Sequence, residues 1–143
     1  MLFRSTEFQI EAELLHEFRR HGAQSPAYTS IVASGANACV LHYVANDALL
    51  KDGDLLLIDA GCELDGYASD ITRTFPVNGK FSGPQKAVYE LVLAAQAAAI
   101  REVKPGNTWN QPHDAAVKVL AQGMLDLKLL SRSEEHTSEL QSH

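Results

Sequence analysis

The sequence has few of the features that mark secreted, membrane-bound or nucleic-acid-binding proteins. It holds two cysteines in 143 residues, which is too few for a disulfide framework, and neither Cys39 nor Cys62 stands in a Cys-x-x-Cys metal spacing. No stretch approaches the roughly 20 apolar residues of a membrane span, and the N-terminus has no hydrophobic signal core. A net charge of −6 argues against a nucleic-acid or anionic-membrane surface. We therefore expect a cytoplasmic protein with neither partner.

Apolar content and spacing predict a helical and stranded domain. At 143 residues with 45% hydrophobic side chains, the chain can form one domain and is also compatible with half of a larger one. Thr6 with Gln9 and Ser82 with Gln85 fit capping boxes at the starts of apolar-periodic segments. The predicted helices are Thr6–His21, Ser82–Lys104 and a third that begins between Thr108 and Pro112.

Two hairpins are predicted between the first two helices. Leu55–Ile58 is an apolar run and Ile71–Val77 is rich in β-branched and aromatic residues, so both segments are typical of strands. Glu63–Gly66 supplies the turn between them. A second hairpin is predicted earlier in the chain, with strands Tyr28–Ala33 and Ala38–Tyr43.

The predicted hairpin brings two aspartates close together. If the turn is centred between Leu64 and Asp65, Asp59 lies directly opposite Asp70, where Cβ atoms are roughly 4.5 to 5.5 Å apart and like charges repel. A two-residue Asp-Gly turn would instead pair Asp59 with Thr72. An exposed surface hairpin is the simplest alternative, but four apolar residues precede Asp59, and this disfavours a solvated strand end.

Two facing carboxylates need a physical reason. A shared proton, a basic partner or a bound cation would each offset the repulsion. At this separation the pair could bridge two divalent ions roughly 3.5 to 4 Å apart, as in two-metal peptidases and phosphatases. Hard oxygen ligands suit manganese or a similar ion.

Three segments resemble a known family. Leu57–Gly61, Gly66–Phe75 and Leu41–Tyr43 are similar to the motifs of the Xaa-Pro aminopeptidases, or aminopeptidases P, of the pita-bread metallopeptidases. The similarity extends from about Thr6 to about Leu130. It implies an α+β pita-bread fold, of which residues 1–130 form only the N-terminal part of the catalytic domain: a curved antiparallel sheet with helices on one face.

The resemblance also implies roles for three residues. Asp59 and Asp70 correspond to the first two ligands of a dinuclear manganese centre, and His42 corresponds to a catalytic histidine that contacts the substrate near the metals. The other ligands of the two Mn²⁺ ions, a histidine and two glutamates, lie further toward the C-terminus than this chain extends. We therefore expect the 143 residues alone to be inactive. Residues 131–143 are polar without an apolar period, which predicts a disordered tail. They also look like translated adapter or vector sequence, so we expect this tail to be non-native.

The implied reaction is hydrolysis of the bond between an N-terminal residue and a following proline, so a proline-containing peptide is the expected partner. A prolidase-type dipeptidase is one alternative, and methionine aminopeptidase shares the fold. A non-catalytic pita-bread module that binds peptides or proteins is an alternative of another class. Asp59 and Asp70 favour a metal-binding protein over such a module. A homo-oligomer is compatible with the sequence.

Overall fold

A computed structural model describes residues 4–131, which divide into two compact units, one ending at Phe81 and the other beginning at Ser82. The first unit contains α1 (Glu7–Arg20), β1 (Ser25–Pro26), β2 (Ile31–Ser34), a 3-10 helix (Gly35–Cys39), β3 (Leu55–Ala60), β4 (Cys62–Leu64), β5 (Tyr67–Ala68) and β6 (Ile71–Pro76). The second contains α2 (Gly83–Glu102) and α3 (Asn110–Asp126). The tail predicted at residues 131–143 lies outside the described residues, apart from its first.

The three predicted helices are confirmed, with their ends one or two residues inside the predicted ones. The side chain of Gln9 accepts a hydrogen bond from the Thr6 amide at 2.9 Å, and Gln85 accepts one from Ser82 at 2.8 Å. These contacts satisfy N–H groups that a helix start leaves without a partner. Within residues 4–131, no helix has the length and apolar character needed to cross a membrane.

The antiparallel sheets confirm an α+β protein and correct the predicted register. The strand orders are β2-β3-β6 and β1-β4-β5. Leu64 pairs with Tyr67, and Asp59 pairs with Thr72, so Asp59 does not lie directly opposite Asp70. The turn is the two-residue one, because Asp65 and Gly66 both have positive φ, 52° and 81°. Such a turn matches the twist of the two strands.

The prediction of a strand over Ala38–Tyr43 is wrong. The 3-10 helix Gly35–Cys39 follows β2 directly, and the next residues form turns. The side chain of Asn46 takes the place of a neighbouring strand: its Oδ1 accepts from the Val32 amide at 2.9 Å, and its Nδ2 donates to the Ser30 carbonyl at 2.8 Å. The main chain at this edge of β2 is therefore satisfied by a buried amide side chain.

The two faces of the β2-β3-β6 sheet have different surroundings. Val32 and Leu56 point to one face and are fully buried in a core with Leu50 and Val77. Helix α1 covers this face with apolar side chains, among them Ile10. Because side chains alternate along a strand, the opposite face carries the residues between them in sequence, which include Ile31, Ala33, Leu57, Asp59 and Thr72.

Candidate metal centre

Asp59 and Asp70 lie close together on the sheet face opposite the core. Asp59 is half-buried in β3, and Asp70 is exposed immediately before β6. The register on both sides of the hairpin brings Asp70 next to Gly61, two positions beyond Asp59 on the same face. The two carboxylates are therefore diagonal neighbours.

The hydroxyl of Tyr28 joins the two carboxylates. It lies 2.6 Å from Oδ1 of Asp59 and 3.0 Å from Oδ1 of Asp70. The separation of the two carboxylate oxygens cannot exceed the sum of these lengths, roughly 5.6 Å. The prediction that the two carboxylates lie close together is therefore confirmed for these atoms, although the direct opposition is not.

A bend in the hairpin brings Asp70 to this position. The Cys62 amide donates to the side-chain Oγ of Ser69 at 3.0 Å, and the Ser69 amide donates to the Cys62 carbonyl at 3.0 Å. The Ser69 carbonyl turns toward Gly61 instead, and a Cβ atom on Gly61 would lie 2.5 Å from the Ser69 carbonyl carbon. Only glycine permits this approach.

The same glycine fixes the segment that carries Tyr28. The Gly61 carbonyl accepts a hydrogen bond from the Ala27 amide at 2.9 Å. Tyr28 follows directly, so its hydroxyl reaches both carboxylates from the neighbouring segment. Nothing in the sequence identified Tyr28, since it lies 31 positions from Asp59 and 42 from Asp70.

The two carboxylates repel each other, and a cation between them would offset this repulsion. Burial raises the pKa of Tyr28, and the hydrogen bonds and charges of Asp59 and Asp70 raise it further. The phenol therefore stays protonated and remains a donor. No basic side chain among residues 4–131 forms an ion pair with either aspartate. The nearby Arg73 side chain donates to the Thr72 carbonyl at 2.7 Å.

His42 lies at a turn after the 3-10 helix and not in a strand. Its side chain is exposed, and its backbone is left-handed with a φ of 55°. It lines a cavity of about 280 Å³ whose wall also includes Asp59, Thr72, Ile31 and Leu57. The fold thus brings the predicted histidine and one predicted ligand to the same cavity. Among residues 4–131, no three His, Cys, Asp or Glu side chains form a metal-binding group.

Comparison with known proteins decides the family. The model of metallopeptidase family M24 matches residues 3–139. The chain belongs to this family. Among its M24 relatives, the Xaa-Pro aminopeptidase of Haemophilus influenzae is 55% identical over 137 residues, which are 96% of this chain and 32% of the relative. That of Escherichia coli is 48% identical over 124 residues, 87% of this chain and 28% of the relative.

Solved M24 structures confirm the fold. Aminopeptidase PepP of Pseudomonas aeruginosa is 56% identical and superimposes with a TM-score of 0.90 over 96% of this chain and 31% of its own. A zinc-substituted Escherichia coli aminopeptidase P in complex with product gives a TM-score of 0.90 at 43% identity, over 98% of this chain and 32% of its own. The pita-bread fold and the resemblance to Xaa-Pro aminopeptidases are confirmed. The chain spans about a third of the length of these relatives.

Proposed function

We propose that this chain supplies part of the active site of a metal-dependent aminopeptidase that hydrolyses the bond between an N-terminal residue and a following proline. The observation that carries the proposal is the pair of carboxylates linked by one hydroxyl, Asp59 and Asp70 through Tyr28. Membership of family M24 and the similarity to Xaa-Pro aminopeptidases support the substrate class.

Asp59 and Asp70 would hold two divalent cations. Carboxylate oxygens are hard ligands, and the pair has no basic partner in the described part of the chain, so a cation would offset the repulsion. We propose manganese as the metal. One relative has been solved in a zinc-substituted form, so metal analysis of the active protein is the test of this assignment. Bound divalent ions supply activation of water and polarisation of the scissile carbonyl.

Side chains around the two aspartates would orient a metal ligand, contact the peptide and exclude water. Tyr28 fixes the direction of the Asp59 carboxylate through its 2.6 Å hydrogen bond. His42, exposed at the rim of the cavity that Asp59 also lines, would contact the peptide and exchange a proton through its ring. Ile31 and Leu57 give the same cavity an apolar wall that displaces water from a bound peptide.

The 143 residues alone should be inactive. Two carboxylates offer at most four oxygens, whereas hard cations usually take about six donors each. We propose that a histidine and two glutamates from outside this chain complete the site. Without them the ions bind weakly, and loss of a general base alone typically costs about 10²- to 10⁴-fold in rate. Cytoplasmic location and homo-oligomer formation stay predictions from the sequence.

The test is cleavage of peptides by a chimera in which residues 4–131 replace the corresponding part of the Pseudomonas aeruginosa relative. We expect manganese-dependent release of the first residue from an Xaa-Pro-Xaa tripeptide. Asp59→Asn and Asp70→Asn should each lower the rate by at least about 10³-fold, while Asp114→Asn, an exposed position in α3, serves as the control.

Other outcomes would identify the alternatives. Cleavage of an Xaa-Pro dipeptide but not of the tripeptide would indicate a prolidase-type enzyme. Peptide binding without cleavage, unchanged in the aspartate variants, would indicate a binding module. Robust manganese-dependent turnover by the 143-residue chain alone would contradict the proposed need for further ligands.

A further inference from the structure

Glu7 is a buried carboxylate to which the proposed function gives no role. It is the first residue of α1, and its exposed fraction is 0%. Its Oε1 accepts from the Ser34 amide at 2.7 Å, from the Ser34 hydroxyl at 2.8 Å and from Asn37 Nδ2 at 3.2 Å. Its Oε2 accepts from the Tyr43 hydroxyl at 2.8 Å and from the Ala48 amide at 3.0 Å. Five donors therefore converge on one carboxylate.

These donors lie on both sides of His42 in the chain. Ser34 and Asn37 belong to the end of β2 and the 3-10 helix that precede it, and Tyr43 follows it directly. Asn37 Nδ2 also donates to the Tyr43 hydroxyl at 3.0 Å, which closes a ring of hydrogen bonds around the turn. The Glu7 amide donates to the Ala48 carbonyl at 2.9 Å, so the far end of the segment is fixed to the start of α1.

His42 depends on this framework for its position. No hydrogen bond joins its side chain to another of residues 4–131, and its φ of 55° is a conformation that costs a side-chain-bearing residue free energy. Such a conformation persists only where the surrounding structure imposes it. Locally, the Tyr43 amide donates to the Val40 carbonyl at 3.3 Å across His42. The hydrogen bonds to Glu7 tie both sides of this turn to the start of α1.

We propose that Glu7 is a positioning residue, which holds the segment from Ser34 to Ala48 so that His42 faces the cavity shared with Asp59. The importance of this for catalysis rests on the proposed function, because that function assigns His42 its contact with the substrate. The placement of His42 can be measured without any activity.

A carboxylate is specifically suited to this position. Its two oxygens accept only, and all five neighbours donate. In Glu7→Gln, one oxygen becomes an NH₂ group, which cannot accept, so either the Ser34 amide or the Ala48 amide loses its acceptor. A buried donor without a partner is costly. A simple anchor for α1 would instead affect the stability of the whole first unit equally.

The first measurement is amide hydrogen exchange by NMR on the full 143-residue chain, comparing Glu7→Gln and Tyr43→Phe with the wild type. The control is Glu13→Gln, the same change at an exposed position of α1. We expect the Ser34 or Ala48 amide to exchange at least about tenfold faster in Glu7→Gln, with the amides of β3 less affected. Tyr43→Phe removes the hydrogen bonds of the Tyr43 hydroxyl to Glu7, Asn37 and Asp47 and retains the carboxylate. It therefore gives a second local readout if Glu7→Gln does not fold.

The second measurement uses added Mn²⁺, which broadens NMR signals of nearby nuclei. In the wild type, the Thr72 methyl and the His42 ring should both broaden, because both line the cavity with Asp59. In the Glu7 and Tyr43 variants, we expect the Thr72 methyl to broaden as before and the His42 ring to lose at least half of its broadening. A residue that contributes only to stability would not separate the two signals.

Failure of this proposal differs from failure of the proposed function. If Mn²⁺ broadens neither signal in the wild type, the metal site is wrong, and the amide exchange still decides whether Glu7 holds the turn. Equal acceleration at Ser34, Ala48 and throughout β3 would overturn the positioning role. Unchanged His42 broadening in a folded Glu7→Gln variant would overturn it as well.

Discussion

Gly61→Ala should separate the two carboxylates of the candidate metal centre. The added Cβ would lie 2.5 Å from the Ser69 carbonyl carbon and 3.2 Å from the Asp70 amide nitrogen. Ordinary van der Waals contact begins at about 3.4 Å, and the Ser69 carbonyl oxygen lies closer to the added Cβ than the carbonyl carbon does, so the Ser69 backbone must move by more than about 1 Å. The atoms in the way belong to the main chain and cannot rotate aside. Asp70, the next residue, moves with them.

The cost follows from overpacking and from one hydrogen bond. Overpacking of this kind costs about 1–3 kcal/mol, and the reduced freedom of the unfolded alanine chain returns about 0.4–1 kcal/mol. The hydrogen bond from Tyr28 to Asp70 is already 3.0 Å long, and a 1 Å displacement away from the hydroxyl would break it. We expect the free energy of unfolding to fall by about 1–3 kcal/mol.

Two measurements check this. Urea unfolding gives the loss of stability, with Gly83→Ala as the control because no atom lies within 4 Å of its added Cβ. Absorbance at 295 nm against pH follows phenol ionisation, and Tyr28 should ionise at lower pH once Asp70 withdraws. The reasoning is wrong if Gly61→Ala unfolds within 0.5 kcal/mol of the wild type and its absorbance curve is unchanged.

Four further substitutions test the first unit. Burial and two carboxylates raise the pKa of Tyr28 above the ordinary 10.0. The stabilising effect of the Tyr28 hydroxyl is therefore complete below pH 10 and is lost as pH rises toward the pKa in the folded state. Tyr28→Phe should weaken this alkaline loss of stability, measured by urea unfolding at several pH values. Burial acts to raise the pKa of Glu7, but the hydrogen bonds it accepts outweigh burial and lower it below 4.5. The contribution of Glu7 to stability is therefore present above pH 4.5 and is lost as pH falls through the pKa in the folded state. Glu7→Gln should have a lower free energy of unfolding at pH 7, and this free energy should depend less on pH in acid than that of the wild type. An equal dependence on pH in acid would contradict this. Gly66→Ala, at a φ of 81°, should cost about 1–2 kcal/mol by urea unfolding, whereas Asp65→Asn should be nearly neutral, since asparagine tolerates positive φ.

Local signals predicted the elements, and contacts distant in sequence decided the details. Periodicity and capping residues gave the helices and the main hairpin. The register depended on where the turn is centred, and a φ above zero at both Asp65 and Gly66 selected the less favoured of the two alternatives. Apolar spacing favoured a strand through His42, but hydrogen bonds to Glu7 and the side chain of Asn46 hold this segment in turns.

The position of Tyr28 could not be predicted from the sequence. The aspartates could be identified because a turn relates them through local spacing. The tyrosine that links them comes from a segment before β2, and its placement depends on the hydrogen bond between Ala27 and Gly61. A contact of this kind has no periodic signal.

The two faces of the β2-β3-β6 sheet serve different purposes, since one carries core residues that stabilise the fold and the other carries residues that line the cavity. Val32 and Leu56 carry the core, whereas Ile31 and Leu57, their neighbours in sequence, line the cavity beside Asp59. Under the proposed function, mutations at the cavity positions would alter which peptides fit without opening the core. Divergence in specificity need not be matched by compensating changes in stability. A library randomised at Ile31 and Leu57 would change the lining of the cavity while the core residues stay the same.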